Sequence, residues 1–191
     1  VAMHALNIGN PQPGDACAVI GIGMIGNFIL QLLRISGIQN LIAIDINERL
    51  LNESKNLGAS LAFRPDNTKM KSEIMANTKN RGADISFEAV GISETVNTAI
   101  DILRKGGKTV LIGNVSPSVQ FPLQKVVTQE IKVLGSCAIR GEYETVLDLL
   151  ASEKINPDNQ ISAIAPLSEG AEWFSRLHDN KEGLKKIILK P

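Results

Sequence analysis

Residues 16–26 read Ala16-Cys17-Ala18-Val19-Ile20-Gly21-Ile22-Gly23-Met24-Ile25-Gly26, a short apolar run ending in three glycines spaced G-x-G-x-x-G. An apolar-periodic run over residues 27–35 follows at once. That order predicts a buried strand, a tight turn and a helix that opens over the pyrophosphate of a dinucleotide. Gly21 lets the chain leave the strand in a turn that a side chain would hinder. Gly23 has no Cβ, so backbone can approach phosphate oxygens, and Gly26 lets the new helix lie close on the strand. The helix start at Met24 and Ile25 presents unpaired N–H groups and a positive dipole end to an anion. By itself the spacing also fits an ordinary glycine-rich turn, so the flanking chain decides.

Downstream, apolar strands alternate with helical patterns. Strands are predicted at 41–45, 60–63, 83–90, 108–112 and 131–134, with helices at 48–57, 69–80, 93–103 and 123–128 between them. Asn47 and Ser93 read as N-caps, and Val96, Ala99, Ile100 and Leu103 as the buried stripe of the fourth helix after the loop. Most of these strands are continuously apolar rather than alternating, which argues for a parallel sheet covered on both faces. Six strands in two β-α-β-α-β halves predict an α/β fold with a doubly wound, six-stranded parallel Rossmann sheet in the order 3-2-1-4-5-6. The expected organisation is a dinucleotide-binding domain over residues 1–140, including a leading helix, and a C-terminal α/β segment over 141–191. That segment contains helical patterns at 143–152 and 168–177 and strands at 161–165 and 185–189.

Asp45 gives the loop a ligand. It follows Gly26 by nineteen positions and closes the second strand, where a carboxylate can accept both ribose hydroxyls of an adenosine. An anion there disfavours a 2′-phosphate, so the expected cofactor is NAD rather than NADP. An acid at that position also suits a helix dipole, and it is the register of strand, loop, helix and acid that favours the dinucleotide. A doubly wound sheet binds its ligand beyond the carboxyl ends of its strands. This nominates Ala89-Val90-Gly91, Ile112-Gly113-Asn114 and Gly135-Ser136-Cys137 for the nicotinamide, although each also reads as an ordinary strand-ending turn.

Composition narrows the rest. The chain has 191 residues, 43% hydrophobic, with twenty basic and twenty acidic side chains, so neither nucleic acid nor an anionic membrane has electrostatic support as a partner. No apolar run approaches the roughly 20 residues that span a bilayer. Cys17 and Cys137 make neither a disulfide framework nor a metal site, and a reducing cytoplasm is the expected setting. His4 and His178 read as packing and solvated histidines, so no catalytic residue and no metal ligand is assigned within the chain.

Several further stretches carry a family likeness. The run from His4-Ala5 through Pro13-Gly14-Asp15, the glycine loop and Asp45 to Leu57-Gly58-Ala59 resembles the zinc-type medium-chain dehydrogenases. So do Phe87-Glu88-Ala89-Val90-Gly91, Gly106-Gly107-Lys108 and Pro166-Leu167-Ser168-Glu169-Gly170-Ala171. The polyol (sorbitol or galactitol-phosphate type) and threonine dehydrogenase branch is the most similar. The resemblance implies a cofactor held by Gly21 to Gly26, Asp45 and Ile46, and a nicotinamide pocket at Ala89, Val90, Ile112, Asn114, Ser136 and Ala138. The family's basic residue beside the ribose falls five positions after the acid; here that position is Leu50, and the base is Arg49. The catalytic zinc of the family is bound in an N-terminal domain ahead of the His4-Ala5 motif. The chain, opening at Val1, therefore reads as the cofactor half of a longer enzyme acting on an alcohol or polyol, inactive alone. The likeness also implies a homodimer through the edge of the sixth strand. Two other readings use the same loop: a non-enzymatic NAD-binding regulatory module, and a zinc-free reductase of the same superfamily.

Overall fold

The first strand, β1 (Ala16–Ile20), is buried at every residue, as a continuously apolar sequence requires when both faces of a sheet are covered. The structure is a computed structural model describing residues 1–179 and 183–191. Its elements fall into two units, residues 1–146 and residues 147–191.

In the first unit, β1 is joined by β2 (Asn40–Ile44), β3 (Leu61–Phe63), β4 (Ala83–Glu88), β5 (Leu103–Leu111) and β6 (Lys132–Gly135). All neighbouring pairs are parallel, in the order β3-β2-β1-β4-β5-β6. This is the doubly wound order anticipated from the strand–helix alternation. The helices are α1 (Ala2–Gly9), α2 (Met24–Ile35), α3 (Glu48–Asn56), α4 (Met70–Asn77), α5 (Ser93–Asp101) and α6 (Leu123–Thr128), with α7 (Tyr143–Ala151) beginning at the end of the unit. Helices α1 and α2 pack on each other and on β1, β4 and β5, and α5 lies against β1, β4 and β5. Alternate strand residues thus serve two cores. Ala18, Ile20, Ile42 and Ile44 pack with Met70, Ile74, Val96, Ala99 and Ile100. Val19 lies beneath Gly26, and Phe87 beneath Gly9 of α1.

Local chemistry explains most boundaries, and corrects some. Asn47 caps α3 as expected, its Oδ1 accepting the Arg49 N–H at 2.9 Å. Ser93 is not the cap of α5. Ile92 holds that position, its N–H donating to Thr95 Oγ1, while Ser93 Oγ accepts the Gln120 N–H at 2.9 Å and ties the 120s loop to the helix. Leu103 is buried as expected, but as the first residue of β5 rather than the last of the helical stripe. Helix α4 stops at Asn77 because Lys79 and Asn80 take left-handed φ values of 55° and 61°. At the amino ends of the strands, Asp84 accepts the Ala16 N–H at 2.9 Å and Arg104 Nε, joining β1, β4 and β5 beneath the core.

In the second unit, β7 (Ile161–Pro166) and β8 (Lys186–Lys190) form a two-stranded parallel sheet. The helix expected at 168–177 starts as a 3₁₀ turn at Leu167–Glu169 and continues as α8 (Gly170–Asp179).

Candidate functional site

At the end of β1 the chain turns at Gly21 with φ +86°. A Cβ there would fall 2.5 Å from Val90 Cγ2, so both the conformation and the space select glycine. Gly26 is constrained more severely, since its Cβ would lie 1.9 Å from the Gly21 carbonyl oxygen. Gly23 differs from both: a Cβ there meets nothing within 4 Å. Two glycines of the loop therefore serve packing, and the third leaves an open space in front of a helix end.

That helix end is uncapped. Gly23 occupies the N-cap of α2, no side chain bonds the first turn, and the turn carries no acid. The first intrahelical bond runs from Asn27 N–H to the Gly23 carbonyl at 2.9 Å, so the N–H groups of Met24, Ile25 and Gly26 precede it. Three aligned donors, a dipole end and open space together suit an anion.

Asp45 stands just after β2, its N–H donating to the Phe63 carbonyl at 3.1 Å. Its Oδ2 accepts the Ile22 N–H at 2.6 Å and its Oδ1 the Asn47 N–H at 2.8 Å. The carboxylate thus pins the middle of the glycine loop to the β2 end. Each oxygen still has acceptor capacity, because one N–H satisfies one lone pair. Asp45 and Gly21 also line a cavity of about 500 Å³ with Ile46, Pro65, Val90, Ile92, Thr95 and Thr98. That volume falls within the range of small-molecule sites. Ile46, 71% exposed, presents an apolar side chain to that cavity.

The remaining sequence-nominated residues lie at the same carboxyl edge. The Ala89 N–H continues the ladder to the Ile20 carbonyl at 2.9 Å, and the Ser136 N–H reaches the Leu111 carbonyl at 2.9 Å. Gly91 and Gly113 meet backbone to backbone: a Cβ on Gly91 would sit 2.3 Å from the Gly113 carbonyl carbon. Ile112, Asn114 and Ala138 (φ 54°) flank these turns, but none of the three lines the 500 Å³ cavity. Arg49 stands apart from it too, on the exposed side of α3, 3.9 Å from Glu53.

Sequence reasoning missed three contributors. Glu88 is wholly buried. Its Oε1 accepts the Val90 and Gly91 N–H groups at 2.9 and 2.8 Å, and its carbonyl accepts those of Ile112 and Gly113 at 2.8 and 3.0 Å. One residue thereby satisfies four donors in two turns. The second contributor is Arg64, which donates to the Ile46 carbonyl and pairs with Asp66, joining the β2 and β3 ends. The third is the α5 wall, Glu94, Thr95 and Thr98. Glu88 falls inside the strand predicted at 83–90 and Arg64 beside Pro65 belongs to no motif, so neither is marked by the sequence, and α5 becomes a wall only once β4 lies beside β1.

Away from this edge, His4 Nδ1 lies 2.8 Å from Glu142 Oε1. The Arg140 N–H and then His4 hold the Glu142 carboxyl down at about 2. Among the described residues, no three His, Cys, Asp or Glu side chains converge to hold a metal ion. No helix among them is long and apolar enough to cross a membrane.

A family profile described as zinc-binding dehydrogenase matches residues 24–152. The chain belongs to the zinc-binding dehydrogenase family. It is 30% identical over 196 residues to a probable D-xylulose reductase A of Emericella nidulans, an alignment covering 100% of this chain and 54% of that one. Among solved structures it is similar to L-idonate 5-dehydrogenase from Escherichia coli (TM-score 0.88, 28% identity, 97% of this chain and 53% of that one). It is also similar to the alcohol dehydrogenase TADH from Thermus sp. ATN1 (TM-score 0.88, 29% identity, 99% and 55%). The chain spans about half the length of these family members.

Proposed function

We propose that this chain is the NAD-binding half of a zinc-dependent dehydrogenase that passes hydride from a secondary alcohol or polyol to the nicotinamide. The observation that carries the reading is Asp45, which anchors the glycine loop through the Ile22 N–H and also faces the 500 Å³ cavity. In this reading its two oxygens accept the ribose hydroxyls of the adenosine, and Ile46, Pro65 and Ile92 supply apolar faces for the adenine. The N–H groups of Met24, Ile25 and Gly26 take the pyrophosphate across the open space at Gly23. The turns 89–91, 112–114 and 136–138 back the nicotinamide. When bound, NAD supplies the hydride acceptor; the chain's own residues bind, orient and shield it.

Among the described residues, no cluster of His, Cys, Asp or Glu side chains fits a catalytic zinc. We place that site in the portion of the longer relatives that this chain does not span, and expect no alcohol turnover by these 191 residues alone. In addition, β6 has a neighbour on one side only, and an open strand edge invites pairing. We propose that two copies pair there, and sedimentation showing only monomer at high concentration would count against it.

The direct test is calorimetric titration of the chain with NADH and ADP-ribose. Both should bind, and Asp45→Ala should weaken both by about 1.5–3 kcal/mol, the worth of hydrogen bonds to a charged group. Absent binding, or an unchanged Asp45→Ala variant, overturns the cofactor assignment. Zinc-stimulated alcohol turnover by the purified chain overturns the expectation of inactivity.

A further inference from the structure

The cavity beside Asp45 has one-sided charge. Its ionisable lining residues are Asp45 from the β2 end, Asp66 from the β3 end and Glu94 from α5, with no lysine, arginine or histidine among the lining residues. A cation does stand at the mouth, but it is engaged. Arg64 donates from one guanidinium nitrogen to the Ile46 carbonyl. Its Nε and second terminal nitrogen address the two Asp66 oxygens at 3.2 and 3.4 Å. Glu48 lies 4.0 Å from Nε. The Arg64 and Asp66 side chains are 40% and 70% exposed, so the ion pair alone is modest, and the added contact to the Ile46 carbonyl fixes the guanidinium.

Resting on the cofactor reading above, we propose that Asp66 and Glu94, together with Asp45, determine specificity by excluding a 2′-phosphorylated adenosine, and that Asp66 does so partly by occupying Arg64. A free 2′-hydroxyl can donate to a carboxylate and is accepted in such a cavity. A 2′-phosphate brings close to two negative charges into a cavity already lined by three acids. The one guanidinium that joins its two strand-end walls is held at the Ile46 carbonyl and Asp66. The discrimination therefore belongs to both walls of the cavity, and Asp45 sets only part of it.

The test compares dissociation constants for NADH and NADPH, by nicotinamide fluorescence, in wild type, Asp66→Asn, Glu94→Gln, Asp66→Asn/Arg64→Gln and Asp45→Ala. These side chains are exposed or at a cavity mouth, and circular dichroism checks each fold. Asp66→Asn should narrow the NADPH-to-NADH ratio about tenfold, mainly through tighter NADPH, because it removes a charge and releases Arg64. Glu94→Gln should narrow it about threefold. The double variant should lose most of the Asp66→Asn gain, and a gain that persists there overturns the role of Arg64. Ratios within twofold of wild type in both single variants, with Asp45→Ala still shifting the ratio, overturn the proposal while leaving the cofactor reading intact. A wild-type chain that binds neither dinucleotide overturns both.

Discussion

Gly23 and Gly26 stand three residues apart in one motif, yet the structure gives them opposite sensitivities. In Gly26→Ala the new methyl would lie 1.9 Å from the Gly21 carbonyl oxygen and 2.9 Å from its carbon. Relief to about 3 Å requires the start of α2 to move by about 1 Å, because the obstacle is backbone and cannot rotate away. That movement lifts Ile29, Leu30, Leu32 and Leu33, all buried, off the sheet. Overpacking of this kind costs about 3 kcal/mol at the upper end of its usual range, and the better helix propensity of alanine returns about 1 kcal/mol. The net expectation is a loss of about 2 kcal/mol. Gly23→Val behaves inversely. Its φ of −61° suits any residue, and nothing lies within 4 Å of the new Cβ. Stability should fall by no more than about 1 kcal/mol, the cost of a poor N-cap, while NADH affinity falls at least tenfold as the side chain fills the anion space. Urea unfolding followed by far-UV circular dichroism measures the first effect, since the lone tryptophan, Trp173, lies on α8 outside the six-stranded sheet. Titration with NADH measures the second. A Gly26→Ala chain as stable as wild type, or a Gly23→Val chain with undiminished NADH affinity, refutes the division of labour.

Other expectations follow from the ion pairs and thiols. The folded Glu142 carboxyl lies at about 2, below its ordinary 4.5, so its stabilisation is complete above pH 4.5 and drains away as pH falls towards 2. Glu142→Gln should flatten the melting-temperature profile across that window, and an unaltered acid limb would refute the Arg140 and His4 contacts. Asp84 is pushed up by burial but held below its ordinary value by the Ala16 N–H and by Arg104. Asp84→Ala leaves that N–H and guanidinium without the carboxylate and should cost about 3 kcal/mol in urea unfolding; a loss under about 1 kcal/mol would contradict it. Cys17 is buried, with its thiol pushed far up by burial, whereas Cys137 is exposed. A thiol reagent should therefore titrate one group in the native chain and two after denaturation.

The sheet was legible because most of its strands are largely apolar and several are punctuated by glycines at left-handed positions such as Gly21, Gly37, Gly58 and Gly91. Alternation with helices then left few topologies open. Within the site, the loop and Asp45 were legible because their chemistry is local in sequence. The walls were not. Pro65, Asp66 and Glu94 come from the ends of two distant segments, and only the packing of β3 beside β2 and of α5 beside β1 brings them to Asp45. Arg49 held the expected charge near the expected position, but helical geometry turns it toward Glu53, one turn along α3. Arg64, which no spacing rule marks, makes the contact with the β2 end. Ser93 shows a similar limit: its side-chain chemistry suits a cap, but Gln120, remote in sequence, claims the hydroxyl.

The contact between Gly91 and Gly113, with Glu88 accepting N–H groups from both turns, has a consequence for how such a protein can diversify. These two paired turns are joined through main chain, and their geometry depends on two glycines and one carboxylate. Substitution there is all or nothing, with no graded series of variants to explore. The rim at Ile46, Asp66 and Glu94 is exposed and can change one residue at a time at small thermodynamic risk. A lineage, or an engineer, seeking a new cofactor preference would therefore find its accessible routes at the rim, while the paired turns stay fixed.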